Sequence, residues 1–186
     1  MITLPTQRNN LTARMPFPRM GILIGLLAGF GLWGTLAGAV PIVDDPNGFE
    51  GIPWGAGFSE TEQFGKVEES GRLQTYELKG TPPALGTTRV DSMRFTTFEG
   101  KFGRVTIRYK GKDAHEQLLA YLQSKYGPLD RTPGQIAVGP VKVYAWHGFD
   151  TEVTLRYETS AERGIIFFES RSLREKLSEG TSSTVF

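Results

Sequence analysis

No cysteine occurs among the 186 residues. That absence removes disulfides, thiolate metal sites, a cysteine nucleophile and a lipidated cysteine at a new N-terminus. It assigns no redox compartment, because an exported domain of this size folds without covalent staples. Histidine is almost as scarce. His115 and His147 lie in different elements, and a zinc site needs more ligands than these, usually with a local pair such as H-x-x-x-H. Acid is missing from residues 1–39, which hold Arg8, Arg14 and Arg19. Set aside from 21 basic and 20 acidic residues, those three leave 18 basic against 20 acidic in the remainder. A near-neutral domain has no global field to attract nucleic acid, which is therefore not expected as a partner. The hydrolase elbow G-x-S-x-G, the phosphate loop G-x-x-x-x-G-K-[ST] and a post-strand G-x-G-x-x-G are all missing, and no motif calls for a cofactor or metal. With 20 acidic residues, the sequence singles out no catalytic carboxylate pair.

Charge is also missing from Met20 to Val43. Ile22–Leu36 forms the apolar centre of this run, Ala37-Gly38-Ala39 fits a small-residue cleavage site, and Pro41 follows. A positive flank, an apolar run and an A-x-A site predict a secretory signal peptide over residues 1–39. The alternative is an uncleaved anchor that meets the membrane through residues 20–40, with Gly21, Gly25 and Gly29 on a small-xxx-small face. Both readings put the bulk of the chain outside the cytoplasm, in the periplasm or envelope of a bacterium. Met15 heads a tidier version of the same signal.

Residues 40–48 read as a turn-rich linker in which Asp44 and Asp45 are solvated, and 49–178 as a single domain with a flexible tail over 179–186. Phe49–Trp54 is strand-like, with Pro53 restricting it to an edge. Ser59 and Glu62 suggest a capping box for a short helix closing at Gly65. Val67–Ser70 and Leu73–Lys79 predict a hairpin around Gly71-Arg72, and Thr81–Thr88 a loop. Arg89–Thr97 and Phe102–Lys110 alternate in polarity. A two-residue turn pairing Phe98 with Lys101 would set Met93 and Phe95 on the same face as Arg104 and Arg108. An odd-length loop instead gathers Met93, Phe95, Val105, Ile107 and Tyr109, and the apolar pattern selects it.

Asp113–Tyr126 predicts the long helix. Asp113 is its N-cap, Glu116 stands three residues on, and Gly127 and Pro128 end it. His115, Leu118, Leu119, Leu122 and Tyr126 share its apolar stripe. Strands follow at Val141–Trp146, Glu152–Tyr157 and Gly164–Ser170, the second facing a core with Val153, Leu155 and Tyr157 and water with Glu152, Thr154 and Arg156. Ser172–Glu179 suggests a short terminal helix. The fold class expected is α+β: an antiparallel sheet with one main helix packed on one face and short extra helices.

Candidate sites are few. In the odd-loop register Arg94, Arg104 and Arg108 share one sheet face, able to hold a phosphate or carboxylate; the plainer reading is a solvated face with cross-strand partners such as Asp91. His115 reads as a partly buried, hydrogen-bonded side chain and His147 as a turn residue. Trp54, flanked by turn glycines, reads as closing one end of the core.

Gly51, Ile52, Trp54 and Gly55 form a G-[IV]-x-W-G stretch. With the helix end Tyr126-Gly127, then Trp146 and the hairpin strand Val153–Tyr157, the chain resembles a group of uncharacterised exported bacterial proteins over roughly residues 49–170. That resemblance implies an exported domain and brings no catalytic residues. A fainter likeness is to the small lipoprotein of the outer-membrane barrel-assembly machinery, from which the missing cysteine departs. The function expected is a non-catalytic envelope domain that binds an envelope protein or an anionic envelope component. The alternatives are a small envelope hydrolase, which would need a pocket joining a histidine to a carboxylate and a hydroxyl, and a membrane-anchored structural protein.

Overall fold

The computed structural model describes residues 39–129 and 135–182. The expected signal peptide, apart from Ala39, and the end of the expected tail lie outside them. The described chain begins with β1 (Val40–Pro41), β2 (Gly48–Phe49), β3 (Ile52–Pro53), β4 (Phe64–Ser70) and β5 (Leu73–Leu78). There follow β6 (Ala84–Leu85), β7 (Thr88–Arg89), β8 (Ser92–Phe98), β9 (Lys101–Lys110) and helix α1 (Lys112–Tyr126). It closes with β10 (Gln135–Val138), β11 (Val141–His147), β12 (Thr151–Glu158), β13 (Arg163–Ser170) and helix α2 (Arg174–Ser182).

Among the described residues strand makes up 50% and helix 16%, and nine strands join one sheet. The expected α+β fold built around one main helix is therefore overturned: the protein is mostly β, with a large mixed sheet and two short helices. Segments without alternating polarity supply much of the difference. Val40–Pro41, read as linker, pairs in parallel with Trp146 and His147 and makes the sheet mixed. The loop over 81–88 folds into the β6–β7 hairpin, and β10 pairs with β11. The Ser59 helix does not form. Its preceding residues run along the start of β9 instead, with Gly55 N–H donating to Phe102 C=O at 2.8 Å and Phe58 N–H to Gly100 C=O at 2.9 Å. The Thr61 hydroxyl then accepts the N–H groups of Gln63 and Phe64 and turns the chain into β4. Phe58 and Phe64, 4.8 Å apart at their ring centroids, both enter the core cluster.

The sheet order is β1-β11-β12-β13-β9-β8-β5-β4, with β10 beside β11. The β8–β9 hairpin keeps the expected side-chain faces by a different device. Its turn is the two-residue one, with Phe98 opposite Lys101, yet Met93 lies opposite Ile107 and Phe95 opposite Val105. A bulge reconciles the two. Thr97 faces Phe102 while Thr96 faces Arg104, so Gly103 is the extra residue, and one extra residue restores the parity of the apolar pattern. Gly103 has a second constraint. A Cβ there would stand 2.9 Å from Leu177 and 3.2 Å from Leu173 side-chain carbons, because α2 docks on this spot.

Helix α1 covers the apolar face of the sheet with His115, Leu118, Leu122 and Tyr126. Its N-cap is Gly111, not Asp113, and no side chain caps it. Gly111 adopts φ 99° and donates its N–H to Glu162 C=O, so the β13 turn fixes where the helix begins. Asp113 is left in the first turn, where its charge suits the helix dipole. Opposite this layer, Phe98, Leu73, Leu173 and Leu177 form a separate small cluster, which seats α2 over one end of the other sheet face.

Candidate functional site

The rest of that second face is open, and alternation along the strands lays it out in rows. Ser92, Arg108, Ile165 and Arg156 align across β8, β9, β13 and β12. Lys110, Arg163 and Glu158 form the next row. Arg108, Arg156 and Arg163 thus surround Ile165, lining a hollow of about 200 Å³ that Val141 and Glu158 complete. All three arginines are exposed, and none makes an ion pair or side-chain hydrogen bond among the described residues. The one carboxylate lining the hollow, Glu158, accepts the Ser160 hydroxyl at 3.0 Å. Guanidinium groups present rigid forks of donors suited to phosphate and carboxylate oxygens.

The sequence offered Arg94, Arg104 and Arg108, and all three do point to this face. Only Arg108 reaches the hollow. Arg94 is engaged by Glu77 at 2.8 Å and Glu68 at 3.9 Å. Arg104 pairs with Glu169 at 2.6 Å, both side chains largely covered. Asp91, the partner proposed from sequence, instead donates its backbone N–H to Arg108 C=O. Arg156 and Arg163 were not grouped with Arg108. Alternation in β12 marks Arg156 as outward-facing, but only the insertion of β13 between β9 and β12 brings the three together.

The histidines sit apart from the hollow. His115 is buried against the core, its Nδ1 2.8 Å from the Tyr109 hydroxyl and its ring stacked on Tyr157 at 3.7 Å. Burial, then the nearby Lys142 charge, pushes its pKa down to about 4, with Glu116 opposing weakly. Burial raises the Tyr109 hydroxyl well above its ordinary value. His147 ends β11, exposed, opposite Glu152, whose carboxylate is taken by Arg174. Neither histidine meets both a carboxylate and a hydroxyl among the described residues.

The glycine–tryptophan stretches are built into the scaffold. Trp54 packs on Phe102 at 4.9 Å and donates its indole N–H to the Thr151 hydroxyl at 2.9 Å. Gly51 and Gly55, at φ 82° and 77°, form the turns around it. Trp146, fully buried, donates its indole N–H to Gly127 C=O at 2.8 Å and so ties the helix end to β11. Sequence reading missed Asp45. It accepts the N–H groups of Asn47, Asp150 and Thr151 and the Thr151 hydroxyl. Burial works to raise its pKa, but these bonds outweigh burial and hold the carboxyl below its ordinary value.

No family model matches the chain, and no curated protein or solved structure is similar to it at a significant level.

Proposed function

We propose that this chain is an exported, non-catalytic envelope domain that binds an anionic envelope component at Arg108, Arg156 and Arg163. One observation carries the reading: three guanidinium groups face one hollow with no carboxylate paired to them among the described residues. Elsewhere on the same face the arginines are neutralised, Arg94 by Glu77 and Arg104 by Glu169. An unneutralised cluster beside matched pairs is the arrangement expected where an outside anion completes the charge balance. Ile165 at the centre and Val141 at the side give the hollow an apolar floor between the guanidinium groups.

The test is calorimetric titration of the full chain with glycerol phosphate at low and at physiological salt. Binding that weakens with ionic strength and is abolished in Arg108→Gln/Arg156→Gln/Arg163→Gln supports the assignment. Arg94→Gln serves as the control that retains binding. Because the three arginines are exposed and unpaired, the triple variant should change stability by less than about 1 kcal/mol. Equal binding by the triple variant, or no binding by the wild type, rejects the site.

A further inference from the structure

The arginine hollow lies at one end of the β11–β12 hairpin, where Val141 pairs with Glu158, and the other end presents an aromatic ring to solvent. Phe149 and Asp150 form that tip, between Gly148 and Thr151, with Gly148 N–H donating to Thr151 C=O at 2.7 Å. Phe149 is 84% exposed. Val43, 93% exposed, follows Ile42, whose N–H donates to His147 C=O and carries the pairing of β1 towards the tip.

The tip is held from two sides. Asp45 Oδ2 accepts Asp150 N–H at 2.6 Å and Thr151 N–H at 3.0 Å. The Arg171 guanidinium donates to Gly148 C=O at 3.1 Å and to Phe149 C=O at 3.0 Å. A side chain offered on a backbone fixed in advance loses little freedom when it docks, which suits a binding anchor. The charge around the ring is acidic. Asp44, Asp45 and Asp150 stand against Arg171, while Glu152 and Arg174 neutralise each other. Neither Asp44 nor Asp150 makes an ion pair among the described residues.

The hollow mirrors this arrangement. Three guanidinium groups stand there against one carboxylate, Glu158, around the apolar floor of Ile165 and Val141. Its volume, about 200 Å³, lies below the roughly 300–1,000 Å³ of small-molecule sites and suits one inserted ring. We propose that the tip of one copy of this chain docks into the hollow of a second copy, with Phe149 on Ile165 and Val141, and Asp44 and Asp150 on Arg108, Arg156 and Arg163. No molecule can make this contact with itself, because the eight residues of β12 hold its two halves roughly 25 Å apart. Each copy carries both halves, so the contact is heterologous and runs head to tail. One ring and two carboxylates make a small contact, so the association is weak and concentration-dependent. The inference rests on the proposed reading of the hollow as a receiver of anions, and it adds a regulation. An outside anion and the tip of a second copy compete for the same three arginines, so loading the site disperses the chains.

The test is sedimentation velocity of the full chain, as it fractionates from cells, over a wide concentration range. The sedimentation coefficient should rise with concentration, less steeply at physiological salt and not at all in saturating glycerol phosphate. Phe149→Ser should weaken self-association about tenfold, with the melting curve and glycerol phosphate binding unchanged. Because the chain has no cysteine, single-cysteine variants report proximity directly. A short bismaleimide should join Pro46→Cys, beside the tip, to Ser160→Cys, beside the hollow, and neither variant to itself. A monomeric wild type that binds glycerol phosphate rejects this contact and keeps the anion site. A chain that associates through Phe149 but binds no glycerol phosphate rejects the outside anion alone. Association unaltered by Phe149→Ser, or crosslinking of Pro46→Cys to itself, overturns the proposal. So does a monomeric chain that binds phosphatidylglycerol vesicles through Phe149.

Discussion

Protonating His115 should destabilise the folded protein. Its ring lies between Tyr109, Tyr144 and Tyr157, and Nδ1 is engaged by the Tyr109 hydroxyl. Lys142 and Glu116 are the charges that act on it. Burial lowers its pKa from 6.5 to about 4. The unfolded chain therefore binds more protons than the folded one throughout that interval, and stability must fall as pH falls. The contribution is complete above the unfolded pKa of 6.5 and lost as pH drops through about 4. Two and a half units at 1.36 kcal/mol each give about 3 kcal/mol. The assay is denaturant unfolding between pH 4 and 7.5 of the wild type and of Tyr109→Phe/His115→Phe. Removing both polar partners together leaves no buried group unsatisfied. Carboxylates such as Asp45, whose pKa is lowered, lose their contribution at still lower pH and do so in both proteins. The difference between the two curves isolates the histidine. An identical slope in both proteins would refute the reasoning.

Two further outcomes follow from close approaches in the core. Gly164 lies under the Tyr109 ring, where a Cβ would overlap the ring carbons, so Gly164→Ala should cost about 3 kcal/mol, read as a fall in the denaturation midpoint. Asp45→Ala strips the acceptor from Asp150 N–H, Thr151 N–H and the Thr151 hydroxyl. It should cost about 2–4 kcal/mol and speed amide exchange at residues 150 and 151, with no change in exchange on α1.

Legibility in the sequence tracked how local the determinant was. The stripe His115, Leu118, Leu122 and Tyr126 was readable because it depends on helical spacing alone, and it is the buried side of α1. The faces of β8 and β9 were readable because inverting them would bury Arg104 and Arg108. The bulge that delivers those faces was not, since an odd loop and an extra residue at Gly103 give the same alternation. Asp45 looked solvated because Asp150 and Thr151, the partners that cover it, are more than a hundred positions away. The Ser59–Glu62 capping box failed for a related reason: a local signal lost to backbone pairing with Gly100 and Phe102, strands it could not foresee. Arg156 and Arg163 escaped grouping with Arg108 because strand order, not spacing, makes them neighbours.

The Gly103 bulge adds to β9 one residue that the pairing of the hairpin does not need. Deleting Gly103 alone leaves Phe98 opposite Lys101, Thr97 opposite Phe102, Thr96 opposite Arg104 and Phe95 opposite Val105, now without a bulge, so both faces of the sheet are kept. What the shortened chain loses is the place without a Cβ on which Leu173 and Leu177 rest. The extra residue is therefore dispensable for the register of the strands, and what it provides is a seat for the C-terminal helix.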